Sequence, residues 1–176
     1  MKQSGMWLLH FLYHNLKPCS MKKIWIYILV SLAAVLIIIQ FIQPKRNITK
    51  GETTDAIIFQ LQIPTNVRED IANACFDCHS NNTRYPFYAN FAPVSWFLDN
   101  DIKRGKRHLN FSEWGKYDKM KQLKLLNDIC DELKTHEMPL KAYKWMHSSA
   151  HLNEKQIEDI CNWTNSAGEE VLSKKK

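Results

Sequence analysis

Hydrophobic positions follow two regimes along the 176 residues of this chain. From Ile24 to Ile42 they run almost unbroken and carry no charge. At a rise of 1.5 Å per residue that stretch is long enough for a membrane-spanning helix. Beyond Pro64 the apolar residues recur every three or four positions, the helical period, and nowhere alternate at the strand period over any length. There is no internal repeat. The pattern predicts an all-α chain: a helical domain behind one N-terminal transmembrane helix.

The same pattern divides the chain. Residues 1–23 form an N-terminal cytoplasmic segment, 24–43 the transmembrane anchor, 44–63 a polar linker, and 64–176 the helical domain. The apolar run ends Gln40-Phe41-Ile42-Gln43-Pro44 without a small-x-small cleavage site, so an uncleaved anchor is expected. Trp25 and Tyr27 suit one interface. Lys22 and Lys23 precede the span and Lys45, Arg46 and Lys50 follow it, so charge alone does not orient it. Met21-Lys22-Lys23 resembles a natural start, which makes Met1 a candidate mis-assigned start. Cys19 lacks the setting of a lipoprotein site.

Within the domain, Thr65 is placed to cap a helix with Val67, Ile71 and Ala74 on one face. Asn81 to Tyr88 is turn-rich and aromatic. Pro93 suits the first turn of a second helix that buries Val94, Phe97, Leu98 and Ile102, stops at Gly105, and carries Trp96 into the core. A third helix follows Asn110-Phe111-Ser112, with Met120, Leu123, Leu126, Ile129, Cys130 and Leu133 at helical spacing, ending near His136. Pro139 breaks the pattern and holds Met138 on extended chain. The last helix starts after Asn153, with Gln156 in a capping-box position and Ile157, Ile160, Cys161 and Thr164 facing inward.

Composition changes this picture little. The net charge is +6, but Lys2, Lys17, Lys22 and Lys23 supply four of those charges ahead of the apolar run, and the rest is nearly balanced. Lys103-Arg104-Gly105-Lys106-Arg107 is a solvated helix end rather than a docking stripe, so no nucleic acid partner is expected. An aromatic content of 11% suits packing around a large flat cofactor.

The chemistry concentrates at Cys75-Phe76-Asp77-Cys78-His79. This C-x-x-C-H spacing reads as a c-type haem attachment site. Two thiols three positions apart on a tight turn can each join one vinyl group of the same porphyrin, and His79 then sits under the iron as proximal ligand. Half a zinc site is the competing reading, with His147 and His151 at H-x₃-H spacing as the remaining ligands. A thioredoxin-type pair would want a βαβ context that the flanks lack. The distal iron ligand is expected to be Met138, whose thioether raises the potential relative to a second imidazole. His136 is the rival, a gap-filling core methionine the bland reading. His108, His147 and His151 are expected at the surface or behind the ligands.

Several blocks then resemble one family. Cys75 to Ser80, Thr83-Arg84-Tyr85-Pro86, Pro93-Val94-Ser95-Trp96, Asn110-Phe111-Ser112-Glu113-Trp114 and Met138-Pro139-Leu140-Lys141-Ala142-Tyr143 are similar to the motif series of the bacterial haem-binding domain family, cytochrome c-like proteins with a single C-x-x-C-H site. The resemblance covers roughly residues 64 to 163. It implies a cytochrome c-like helical domain with one covalent haem c on Cys75 and Cys78, and iron between His79 and Met138. It also implies a haem domain on the periplasmic side of the cytoplasmic membrane, because haem is attached covalently outside it.

The function expected from these readings is outer-sphere electron transfer to periplasmic or membrane redox proteins, without a catalytic residue. A haem-based sensor or assembly factor and a peroxidase-like enzyme are the alternatives. Cys130 and Cys161 are expected as buried free thiols, with a disulfide the other possibility in an exported domain.

Overall fold

The computed structural model describes residues 21–174. The expectations for residues 1–20, including the alternative start and Cys19, lie outside them. The described chain is helical, and its one β-type contact is an isolated antiparallel bridge between Ile48 and Asn82. It divides into two units, one ending at Gln43 and one running from Pro44 to Lys174.

The first unit is α1 (Met21–Ile39), whose apolar side chains are exposed along its whole length. It is long and apolar enough to cross a membrane. It starts three residues before the expected anchor and ends four residues earlier than expected. Gln40, Phe41 and Ile42 close three-residue turns onto Ile37, Ile38 and Ile39, and the Gln40 side chain donates to the Leu36 carbonyl. Such tighter turns end α-helices where carbonyls need new partners.

The second unit contains α2 (Ile57–Gln60), α3 (Thr65–Ala74), α4 (Phe76–His79), α5 (Val94–His108), α6 (Lys119–Lys134), α7 (Lys141–Met146) and α8 (Glu154–Ser173). Its core is built chiefly on α6 and α8, with α3 laid against α8. Leu125, Leu126, Ile129, Cys130 and Leu133 of α6 meet Ile157, Ile160, Cys161, Trp163, Ala167 and Val171 of α8. Both helices are capped as their sequences dictate. Asp118 accepts from the Lys121 amide, and Asn153 with Gln156 forms the reciprocal capping box.

Several expectations need correction. Residues 44–63 are not a free tether: Ala56, Ile57 and Leu61 are buried, the latter two inside the core. Thr53 Oγ1 donates to Ser112 O, and the Gly115 amide donates to Asp55 O at 2.8 Å. Their apolar positions are too few to show a period. Thr65 is the first helical residue rather than the cap, and Pro64 precedes it without a side-chain bond. Helix α5 continues through Gly105 to His108. Its buried residues are Ser95, Ile102 and Gly105, while Val94, Phe97 and Trp96 are exposed. Met120 is exposed at the start of α6.

Cys130 and Cys161 form a disulfide joining α6 to α8, with Cα atoms 4.9 Å apart, in place of the expected free thiols. Both helices present these positions to one core, which brings the sulfurs together. A crosslink across 31 residues removes chain entropy from the unfolded state worth about 3–4 kcal/mol. The Cys130→Ala/Cys161→Ala protein is expected to lose stability of that size in urea titrations, and reductant should then leave its midpoint unchanged. A double variant as stable as the parent would show that packing alone holds the two helices.

Candidate functional site

Helix α3 delivers the chain into the pentad. Its regular geometry stops at Cys75, whose backbone (φ −125°, ψ −41°) breaks from α3, and α4 then makes one further turn. The amides of Cys78 and His79 both donate to the Cys75 carbonyl, at 3.2 and 3.0 Å. Cys75, Cys78 and His79 thus occupy a single tight turn, as their spacing predicts. Both thiols are free and half-buried. Burial, chiefly, pushes each thiol pKa up to about 12.

The turn is wedged against α5. A Cβ on Gly105 would lie 2.7 Å from the Cys78 carbonyl oxygen and 3.3 Å from its Cβ. Only glycine lets the two backbones come this close. The requirement is set by a neighbour distant in sequence, so a glycine inside a helical pattern reads from sequence as a stop.

His79 is held by the chain that leaves α5. Its Nδ1 lies 3.0 Å from the Leu109 carbonyl. A carbonyl only accepts, so the proton sits on Nδ1 and Nε2 keeps its lone pair. Burial lowers the imidazole pKa below its usual value, which favours the same neutral form. Phe111 sets the ring edge-on at 6.3 Å between centroids. An oriented neutral imidazole with its second nitrogen bonded to backbone is the arrangement of a metal-ligating histidine.

Asp77, between the cysteines, is a site residue that sequence reasoning passed over. It is 5% exposed. Its Oδ1 accepts from the Arg84 amide and Nε, both at 3.0 Å. Its Oδ2 accepts from Tyr143 Oη at 2.7 Å and Arg84 Nη2 at 3.3 Å. Burial and the Asp77 bond raise the Tyr143 pKa strongly, keeping it a donor. Thr83 Oγ1 donates to the Asp77 carbonyl at 2.7 Å. The signal available was the pairing of Arg84 and Tyr143 with the pentad in the T-x-Y-P and M-P-x-x-x-Y blocks.

Further side chains tie down the chain behind His79. Asn47 Nδ2 donates to Ser80 O and Thr83 Oγ1, and the Asn47 amide donates to Tyr85 Oη. Ser112 Oγ accepts from the Asn81 amide, while Asn110 Nδ2 donates to Asn81 Oδ1.

Met138 comes from another element, the segment between α6 and α7. It is half-buried, and its amide donates to the Glu132 carbonyl at 3.2 Å. His136 is exposed, has a positive φ of 56°, and has Nε2 4.0 Å from Glu154 Oε1. His147 follows α7 and does not share a helical face with His151. It stacks on Tyr143 at 4.0 Å, with Nδ1 3.0 Å from Tyr143 O and Nε2 3.4 Å from Tyr88 Oη. His151 Nε2 is 3.0 Å from Lys144 O. Among the described residues no three of His, Cys, Asp and Glu cluster to hold a metal ion, and His147 and His151 instead bond backbone.

Three large apolar side chains lie open on or near α5 and α7. Phe87 is 76% exposed ahead of α5, Phe97 68% on α5, and Trp145 86% on α7. Exposed apolar surface of this kind marks a ligand or interaction site. Together with the oriented imidazole and two paired thiols, it fits a large flat apolar cofactor with one axial nitrogen.

A family model described as a haem-binding domain matches residues 34–166, about three quarters of the chain. No curated protein and no solved structure matches it significantly.

The Gly105 contact gives a direct check. Gly105→Ala gains helix propensity, but its methyl group meets backbone that cannot rotate away. A net loss of about 1–3 kcal/mol is expected, read as a lower thermal midpoint; an unchanged or higher midpoint would mean that α4 and α5 can separate freely.

Proposed function

Because the chain belongs to the haem-binding domain family, we propose that it is a membrane-anchored c-type cytochrome that carries one covalent haem c and transfers electrons. The observation that carries the proposal is the pentad turn itself: two thiols on one turn beside an imidazole whose Nδ1 is committed to Leu109 O. When bound, haem supplies a one-electron ferric/ferrous couple.

Each part of the chain then has a task. Cys75 and Cys78 would hold the porphyrin as thioethers, each by adding S–H across one vinyl group, sulfur to one carbon and hydrogen to the other, with no electron exchanged and nothing leaving. The thiolate is the reactive form, and the packed domain holds both thiols protonated. His79 would hold the iron through Nε2, and Met138 would supply a thioether as a second ligand. No side chain acts as base or nucleophile toward a substrate.

The disulfide between Cys130 and Cys161 supports an oxidising compartment, and so a domain outside the cytoplasmic membrane. The length and apolarity of α1 support its role as single-pass anchor. Its partners would be redox proteins of the membrane or the periplasm.

Protein matured with haem is expected to give a denatured pyridine haemochrome spectrum of the two-thioether type. Cys75→Ala and Cys78→Ala should each shift it to the one-thioether type. A parent protein whose haem extracts into acid acetone would refute covalent attachment while leaving haem binding intact. Met138→Ala is expected to keep the haem, lower the midpoint potential, and open the iron to carbon monoxide. Ready carbon monoxide binding by the parent would favour a peroxidase-like or sensing role.

A further inference from the structure

The distal ligand proposed above lies on a segment with few anchors of its own. Met138 follows the end of α6 by four residues and precedes α7 by three. Its amide bond to Glu132 fastens only the α6 side. The far side is set by wherever α7 is held.

Helix α7 is held by Tyr143. The Tyr143 hydroxyl donates to Asp77 Oδ2 at 2.7 Å and also reaches the Asn73 carbonyl at 3.3 Å. Its acceptor lies inside the pentad, between the cysteines and two residues before His79. The ring is clamped on its other face by His147, stacked at 4.0 Å and 19°. The carboxylate it meets is itself fixed by the Arg84 amide and guanidinium. Met138 and Tyr143 are five residues apart, no more than about 17 Å along extended chain, and less because residues 141–143 are coiled into α7.

We infer that Tyr143 is a positioning residue, whose hydrogen bond to Asp77 fixes the distal-ligand segment relative to the proximal turn. The inference rests on the reading of Met138 as distal ligand. One hydroxyl thereby sets the span between the two halves of the axial pair. Tyr143 touches neither iron nor substrate and acts only through where Met138 is held. Loss of the bond loosens the sulfur without touching the thioethers or His79.

The test uses the full chain matured with covalent haem. Ferric parent and Met138→Ala are compared by the weak far-red absorption that reports sulfur on haem iron. Its presence in the parent and loss in Met138→Ala establish the ligand. Identical spectra would remove the distal-ligand reading, and this inference with it. Tyr143→Phe should then keep the parent's pyridine haemochrome, weaken the far-red band, lower the midpoint potential, and tighten carbon monoxide binding by about tenfold.

If Tyr143→Phe matches the parent in band, potential and carbon monoxide affinity, the positioning role is wrong while Met138 remains the ligand. Asp77→Ala removes the same bond from its other end. It is expected to reproduce the Tyr143→Phe signature, and it carries the test if that protein accumulates poorly. Arg84→Ala leaves the tyrosine bond in place and should retain the band; an equal loss there would show that charge balance at Asp77, not the tyrosine, holds the segment.

Discussion

A carboxylate sealed inside a small helical domain is the constraint around which the site is arranged. Asp77 is almost fully buried, and an unpaired buried charge costs several kcal/mol. Its two oxygens are satisfied by four donors, three from Arg84 and one from Tyr143. Arg84 is 60% exposed at its side chain, so the ion pair adds little net stability. Its value is geometric. Buried ionic groups that are only tolerable in one arrangement select that arrangement, and this one joins the pentad, the loop after it and α7.

The domain has two kinds of interior. The half built from α6 and α8 is a packed apolar core, stapled by a disulfide and closed from below by Ile57, Leu61 and Trp114. The half around the pentad is held by polar side chains bonding backbone: Asn47 on Ser80, Thr83 on Asp77, Ser112 on Asn81. Three of its large rings, those of Phe87, Phe97 and Trp145, are largely exposed. A haem-binding domain is expected to look this way, because the cofactor is itself the largest apolar body in that half. The polar bonds fix the frame of the pentad turn.

That division explains what the sequence disclosed. The long helices α6 and α8 were legible because their apolar residues repeat against protein, and the capping box at Asn153 is a local signal. The pentad was legible because its chemistry lies within five residues. Periodicity states that Val94 and Phe97 are apolar, not what covers them, so an exposed apolar face reads as core. Helices α2 and α7 are too short to show a period. Gly105, Asp77 and the Cys130–Cys161 disulfide depend on partners far along the chain, and only the fold brings these together. The haem-binding family was legible from motif blocks, whereas the work those blocks do, Tyr143 on Asp77 or Tyr85 on Asn47, was not.

The four cysteines of the described chain show how one domain can keep two sulfur chemistries apart. Cys130 and Cys161 sit in the core, on helices whose packing delivers their Cα atoms to 4.9 Å. Their loop of about thirty residues closes within the α6 to α8 stretch, and such local contacts cost the least entropy to form. Cys75 and Cys78 are free and half-exposed on the pentad turn, where Cys78 backs onto Gly105 of α5 and Cys75 touches the edge of the apolar core. Separation in the fold, set by which helices share apolar faces, pairs Cys130 with Cys161 and leaves Cys75 and Cys78 free.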